Sequence, residues 1–171
     1  MDPSDITLIA VTLPGMAPAL WLTACALLPL GVVLLVDSLF RHRAARLPPA
    51  LRGGAKLAVG LTGAAIAALG SWLISSNGAW RTDDTFYLRA SRAFLVELPV
   101  EQLRPDAAAP LSFDSLTADG RLRAPGYAAG WYRDPDGRRV FVLWSGAPLT
   151  RIPTERNFDI ALAIADPAAL R

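Results

Sequence analysis

The sequence predicts two transmembrane α-helices followed by an all-β domain with a short C-terminal helix. Three observations predict it. The 171-residue chain is 53% hydrophobic, too apolar for an ordinary soluble domain of this length. Its first half holds two long uncharged runs. From about Thr82 these give way to short apolar segments broken by Pro, Gly and Asp, the pattern of strands and turns.

The first run has no charged residue between positions 6 and 36, and "MAPALWLTACALLPLGVVLLV" within it is long enough to cross a hydrocarbon core of about 30 Å as a helix. A span of about 16–38 follows. A cleaved signal peptide is a poor fit, because such a peptide opens on a basic segment and has a much shorter apolar core, whereas this chain begins "MDPSD". Pro29 inside the span marks a kink that a membrane helix tolerates. The second run, "LAVGLTGAAIAALGSWLI", predicts a span of about 57–75 at the minimum spanning length. Its small residues recur every four positions, at Gly60 and Ala64, Gly63 and Ala67, and Ala64 and Ala68. That spacing lets helix backbones approach closely, either within a hairpin of the two spans or along a homo-oligomer seam. Trp72 and Trp80 are expected at the outer interface, with "SSNGAWRTDD" as a short polar link.

Between the spans, residues 41–56 carry Arg41, Arg43, Arg46, Arg52 and Lys56 with no acid. The positive-inside rule puts such a loop in the cytoplasm and both termini outside it. Attraction to anionic headgroups is a second use for the same charges. The rest of the chain, 79–171, balances 12 arginines against 12 acids, so the net charge of +2 gives no reason to expect a nucleic-acid partner. The domain organisation is then a membrane hairpin over 1–78 and a β-domain over 79–171. Cys25 is the only cysteine, so no disulfide within the chain can staple the domain.

In the β-domain, "TFYLRAS" and "RAFLVEL" read as strands, and Asp119–Gly120 reads as a hairpin or tight turn. "DPDG" places Asp134, Pro135, Asp136 and Gly137 at the four positions of a type I turn with a following left-handed residue. It joins a strand ending at Trp131 and Tyr132 to one over 140–144. Residues 157–164 alternate large and small, the period of a strand. Asp166 and Pro167 then suit the N-cap and first position of a short helix.

The stretch "GYAAGWYRDPDGRRVFVL" with "RIPTERNFDIALAIADPAAL" resembles the bacterial pleckstrin-homology (PH-like) domains, on Gly126, Gly130, Trp131, the turn residues Asp134, Pro135 and Gly137, and the Asp166–Pro167 helix start. The resemblance covers about residues 82–171. It implies a bent β-sheet or partly open barrel closed by a C-terminal helix, anchored in a bacterial cytoplasmic (inner) membrane. The closing helix would be barely one turn long.

Chemistry finds few carriers. The only histidine, His42, lies in the basic loop, so the β-domain has neither His nor Cys for nucleophilic catalysis or a His-based metal site. Pro99 separates Glu97 from Glu101, and Asp134-x-Asp136-Gly137 lacks the later ligands of a calcium loop. "RGGAK" has the wrong spacing for a phosphate loop. No catalytic residue, metal or cofactor is expected, and the protein reads as a non-enzyme. Arg133, Arg138 and Arg139 around the hairpin are candidate anion or headgroup contacts, or else solvated or salt-bridged to Asp134 or Asp136. Along 140–144 both strand faces are apolar, so the second face must be covered. Either the chain itself covers it, or Phe141, Leu143 and Trp144 form a partner surface. The functional expectation is a membrane-anchored binding or scaffolding module facing outward, in contact with the lipid bilayer and with a membrane or extracytoplasmic protein. The alternative is an accessory subunit of a membrane enzyme or transporter acting through its spans.

Overall fold

The computed structural model describes residues 7–11, 16–39, 49–164 and 170. It divides into two units: residues 19–72, and residues 73–171 joined by the N-terminal segment. In chain order the elements are β1 (Thr7–Ile9), α1 (Met16–Leu39), α2 (Pro49–Ile74), β2 (Gly78–Arg81), β3 (Thr85–Ala90), β4 (Phe94–Pro99), β5 (Ala109–Leu111), β6 (Thr117–Ala124), β7 (Tyr127–Arg133), β8 (Arg139–Trp144), β9 (Leu149–Ile152) and β10 (Phe158–Leu162). The basic residues 41–48 and the helix start at Asp166 and Pro167 lie outside the described residues.

Both helices are long and apolar enough to cross a membrane. Their outward side chains, among them Leu20, Leu27, Leu28, Leu35, Leu61 and Leu69, are exposed to an extent that lipid, not water, would solvate. Within this unit the helices pack antiparallel. Lys56 near the start of α2 pairs with Asp37 near the end of α1 at 2.6 Å, while Gly70 meets Leu22 at the other end. A Cβ at Gly63 would lie 2.5 Å from the Ala26 carbonyl oxygen, and one at Gly70 would lie 2.5 Å from a Leu22 methyl. Of the small residues spaced along the second span, Gly63 makes this close approach within the hairpin, whereas Ala64 and Ala68 are exposed. Backbone cannot yield as a methyl can. Gly63→Val is therefore expected to loosen the helix pair by about 2 kcal/mol, read as a lower melting temperature in mild detergent, with Gly70→Ala milder.

Among the described residues the β unit contains ten strands in two sheets that do not close into a barrel. One sheet runs β1-β2-β3-β4, antiparallel throughout. The other runs β5-β9-β10-β8-β7-β6, and in it β10 lies parallel to β8 and antiparallel to β9. A parallel neighbour needs a crossover, and the chain makes it through β9 before inserting β10 between the two. The main core lies between the sheets. Phe86, Leu88, Val96 and Leu98 from the first meet Tyr127, Phe141, Leu143, Ile160 and Leu162 from the second, and Leu170 joins them.

Local chemistry explains the turns. β3 and β4 alternate buried and exposed residues along a sheet with one open face. Pro125 and Gly126 close the β6–β7 hairpin, and Gly126 at φ +68 supplies the positive angle that a type II turn requires after proline. "DPDG" forms as expected: Gly137 N–H donates to the Asp134 carbonyl at 3.0 Å, and Gly137 sits at φ +81. Two expectations need correction. Asp119–Gly120 is not a hairpin turn but a bulge inside β6, where the register shifts between Ala118 and Arg121. "SSNGAWRTDD" is no mere link, because it contains β2, and Trp80 is a strand residue stacked on Tyr87 at 5.4 Å.

Candidate functional site

The hairpin from Trp131 to Trp144 carries most of the predicted site residues, and β9 and β10 complete its surroundings. Asp134 and Asp159 are both almost fully buried. A buried carboxylate is costly unless it is paired. Asp159 Oδ1 accepts from Arg138 Nη2 at 2.7 Å and from the Thr154 backbone N–H at 3.2 Å. Its Oδ2 accepts from Arg151 Nε at 2.7 Å. Asp134 Oδ1 accepts the Arg138 backbone N–H at 2.8 Å, as a type I turn favours, and Arg151 Nη1 lies 3.0 Å from Oδ2 as an ion pair without hydrogen-bond alignment. Burial would lower the Arg151 pKa, but the neighbouring Asp159 and Asp134 carboxylates outweigh it and raise the value. Arg151 is thus a permanent cation bridging two buried anions, and it ties the hairpin turn to β9 and β10.

Arg138 also donates to the carbonyls of Thr154 and Arg156, at 3.1 and 3.0 Å. Arg133 and Arg139 share Asp119, at 2.9 and 3.3 Å, and the Arg139 guanidinium sits 4.4 Å from the centre of the Trp131 ring. All three candidate arginines are therefore engaged with carboxylates. Their partners are Asp119 and Asp159 rather than the turn's own Asp134 and Asp136. The Gly120 bulge delivers Asp119 to this place, and no local pattern around the arginines predicts it.

The second apolar face of β8 is covered by the chain itself. Phe141 and Leu143 are buried between the sheets, and Val140 and Val142 face the opposite way. There Leu111, Phe113 and Leu116 fold back across them, and Phe113 stacks on Trp144 at 4.2 Å. Trp144 Nε1 donates to the Ala147 carbonyl at 3.0 Å. So Phe141, Leu143 and Trp144 do not form an open surface. The cover comes from the segment around β5, which carries no period that marks it as a lid.

A second polar cluster went unread in the sequence. Asn77 Oδ1 accepts from the Tyr127 hydroxyl and from the Ser91 N–H, both at 2.8 Å, while its Nδ2 donates to the Ile74 carbonyl at 2.6 Å. Ser91 adopts φ +68, and its hydroxyl accepts the Ala93 N–H at 3.1 Å. Burial raises the Tyr127 pKa against the opposing hydrogen bonds of Asn77 and Ser91. Burial also raises that of Tyr132, against the pull of Arg121 and Arg123. Each neutral phenol is favoured by the fold, so its contribution is complete below the free tyrosine value of about 10 and declines as pH rises above it. Alkaline unfolding is expected to begin above about pH 10, and Tyr127→Phe should make it less steep in a pH titration of tryptophan fluorescence.

Among the described residues no group of three or more His, Cys, Asp or Glu is placed to hold a metal. Asp83, Asp84 and Glu101 line one shallow cleft beside Val100. Gly130 and Trp131 sit at the middle of β7, where Trp131 packs edge-on against Phe141 and Phe158. No protein-family model, curated protein or solved structure matches this chain.

Proposed function

We propose that the protein is a membrane-anchored, non-enzymatic β module that scaffolds or regulates a membrane complex, with the β unit on the extracytoplasmic side. The observation that carries this reading is the pairing of β1 with β2. β1 precedes the first apolar helix and β2 follows the second, so the β unit is fastened to the hairpin by two chain segments instead of one. Segments from both sides of the helices thus belong to one folded sheet, which suits presentation of a structured surface more than capture by a loose tail. The charged side chains of its best-formed cluster are spent on holding β7, β8, β9 and β10 together. The resemblance to PH-like domains rests only on the sequence motif around Gly126, Gly130 and Trp131.

A second reading has its own observation. An open, mostly apolar groove of about 310 Å³ runs between the helices, lined by Cys25, Pro29, Ala58, Val59, Thr62, Gly63 and Ile66. Proline lacks the N–H that would satisfy the Cys25 carbonyl one turn earlier. Such a notch suits a neighbouring transmembrane segment, as an accessory subunit acting through its helices would require.

One experiment separates the two. The full chain and a version with α1 and α2 replaced by an unrelated hairpin are crosslinked in native membranes, and the captured proteins are compared. Retained partners support the β module; their loss on exchanging the helices supports the accessory subunit. A reporter fused after Arg171 tests the side of the membrane, and activity confined to the cytoplasm overturns the outward placement.

A further inference from the structure

We propose that the outer face of the four-stranded sheet is a docking surface for the zwitterionic interface of the membrane that holds the helices. The inner face of this sheet is spent on the core, through Ile9, Ala79, Phe86, Leu88, Val96 and Leu98. In the other sheet the middle strands β7, β8 and β10 are buried on both faces. The strand register assembles the remaining face: Leu8 stands opposite Trp80, Trp80 opposite Tyr87, and Leu95 opposite Arg89. Leu8 is 81% exposed and Leu95 44%. Between them Trp80 and Tyr87 stack within 6° of parallel, and the Arg89 guanidinium lies 5.6 Å from the Trp80 ring centre.

Stacked Trp and Tyr flanked by leucine and a cation form the composition that settles at the level of lipid headgroups. Single exposed leucines need no explanation, but here they continue an aromatic pair across neighbouring strands. Chain length names the occupant. Only residues 75–77 separate α2 from β2, so β2 starts no more than about 14 Å from the end of the helix even if they are fully extended. Residues 10–15 limit β1 in the same way on the other side. Both links therefore tether this sheet to the membrane that holds the helices. Glu97, opposite Tyr87, balances Arg89 in formal charge, so the face carries no net attraction for anionic lipid. That selects the neutral interface rather than a charged headgroup.

The inference rests on the membrane-anchored reading and not on any protein partner. Its test uses the full chain in phosphatidylcholine nanodiscs holding one copy each, with nitroxide lipids as quenchers. Fluorophores are placed singly at Leu8→Cys, Leu95→Cys and, as a control on the exposed hairpin turn, Asp136→Cys, each with Cys25→Ser. A separate sample is labelled at native Cys25. Quenching at Leu8 and Leu95 by a nitroxide near the top of the acyl chains should exceed that at Asp136 several-fold. It should be unchanged when anionic lipid is added. Equal quenching at all three sites, with Cys25 strongly quenched by a deep nitroxide, overturns the docking while leaving the membrane anchor intact. An unquenched Cys25 overturns the anchor itself. Protection that appears only in discs with several copies assigns the face to a second copy and overturns the lipid proposal.

Discussion

Asp159→Ala is expected to lower the stability of the β unit by about 3 kcal/mol, the cost of breaking a buried pair rather than of deleting a surface charge. The carboxylate is 1% exposed and receives bonds from Arg138, Arg151 and the Thr154 backbone. Removing it leaves the Arg151 guanidinium facing Asp134 and frees the Arg138 side chain from the carboxylate it is bonded to. Both arginines keep partial access to water, which holds the effect at the lower end of the range for buried pairs. Asp159→Asn keeps the shape and one acceptor, so its loss should be smaller. The double variant Asp159→Ala with Arg151→Ala should cost less than the sum of the two single changes, because the second deletion removes a charge already left unpaired. Denaturant melts in mild detergent followed by tryptophan fluorescence check this. Strict additivity would show that the network is not a coupled unit.

Gly130→Ala should cost a comparable amount, about 3 kcal/mol, through two separate penalties. Gly130 sits at φ +116, where a side chain strains the backbone. An added Cβ would also lie 2.7 Å from the Gly120 carbonyl oxygen and 3.1 Å from the Phe94 ring. Gly137 provides the comparison. Its φ of +81 imposes strain, but nothing stands within 4 Å of its Cβ position. Gly137→Ala should therefore cost only about 1 kcal/mol. If the two glycines prove equally tolerant, the close approach of the β6 bulge to β7 is not a constraint on the fold.

The Gly130 contact also shows where sequence reasoning stops. Gly126, Gly130 and Trp131 stand out as a motif, and a strand runs through Gly130 and Trp131. Their purposes differ, however: Gly126 makes a turn, whereas Gly130 makes room for a bulge and for a ring from the other sheet. Neither neighbour is near in sequence. The same holds for the arginines. That Arg133, Arg138 and Arg139 are salt-bridged is a fair expectation for paired strands, yet their acids come from Asp119 in β6 and Asp159 in β10. In place of the expected bent sheet or partly open barrel there are two sheets that do not close, with β10 parallel to β8, and a period of two says nothing about which neighbour a strand selects.

What the sequence alone determined is what short-range physics controls. The presence of two apolar helices, the alternation in β3 and β4, and the "DPDG" turn all follow from hydrophobic runs, side-chain period and φ preference, although α2 begins at Pro49, within the predicted basic loop and before the apolar run that marks it. What only the tertiary structure decided is what depends on contacts across long stretches of chain: the pairing of β1 with β2 across the whole helical hairpin, the covering of β8 by Phe113, and the buried Asp159 network. It also decided that Trp80 belongs to a sheet face with Tyr87, Leu8 and Leu95. The physical reason is that propensity acts within a few residues, whereas register and burial are settled only when distant segments compete for the same apolar surface and the same hydrogen-bond partners.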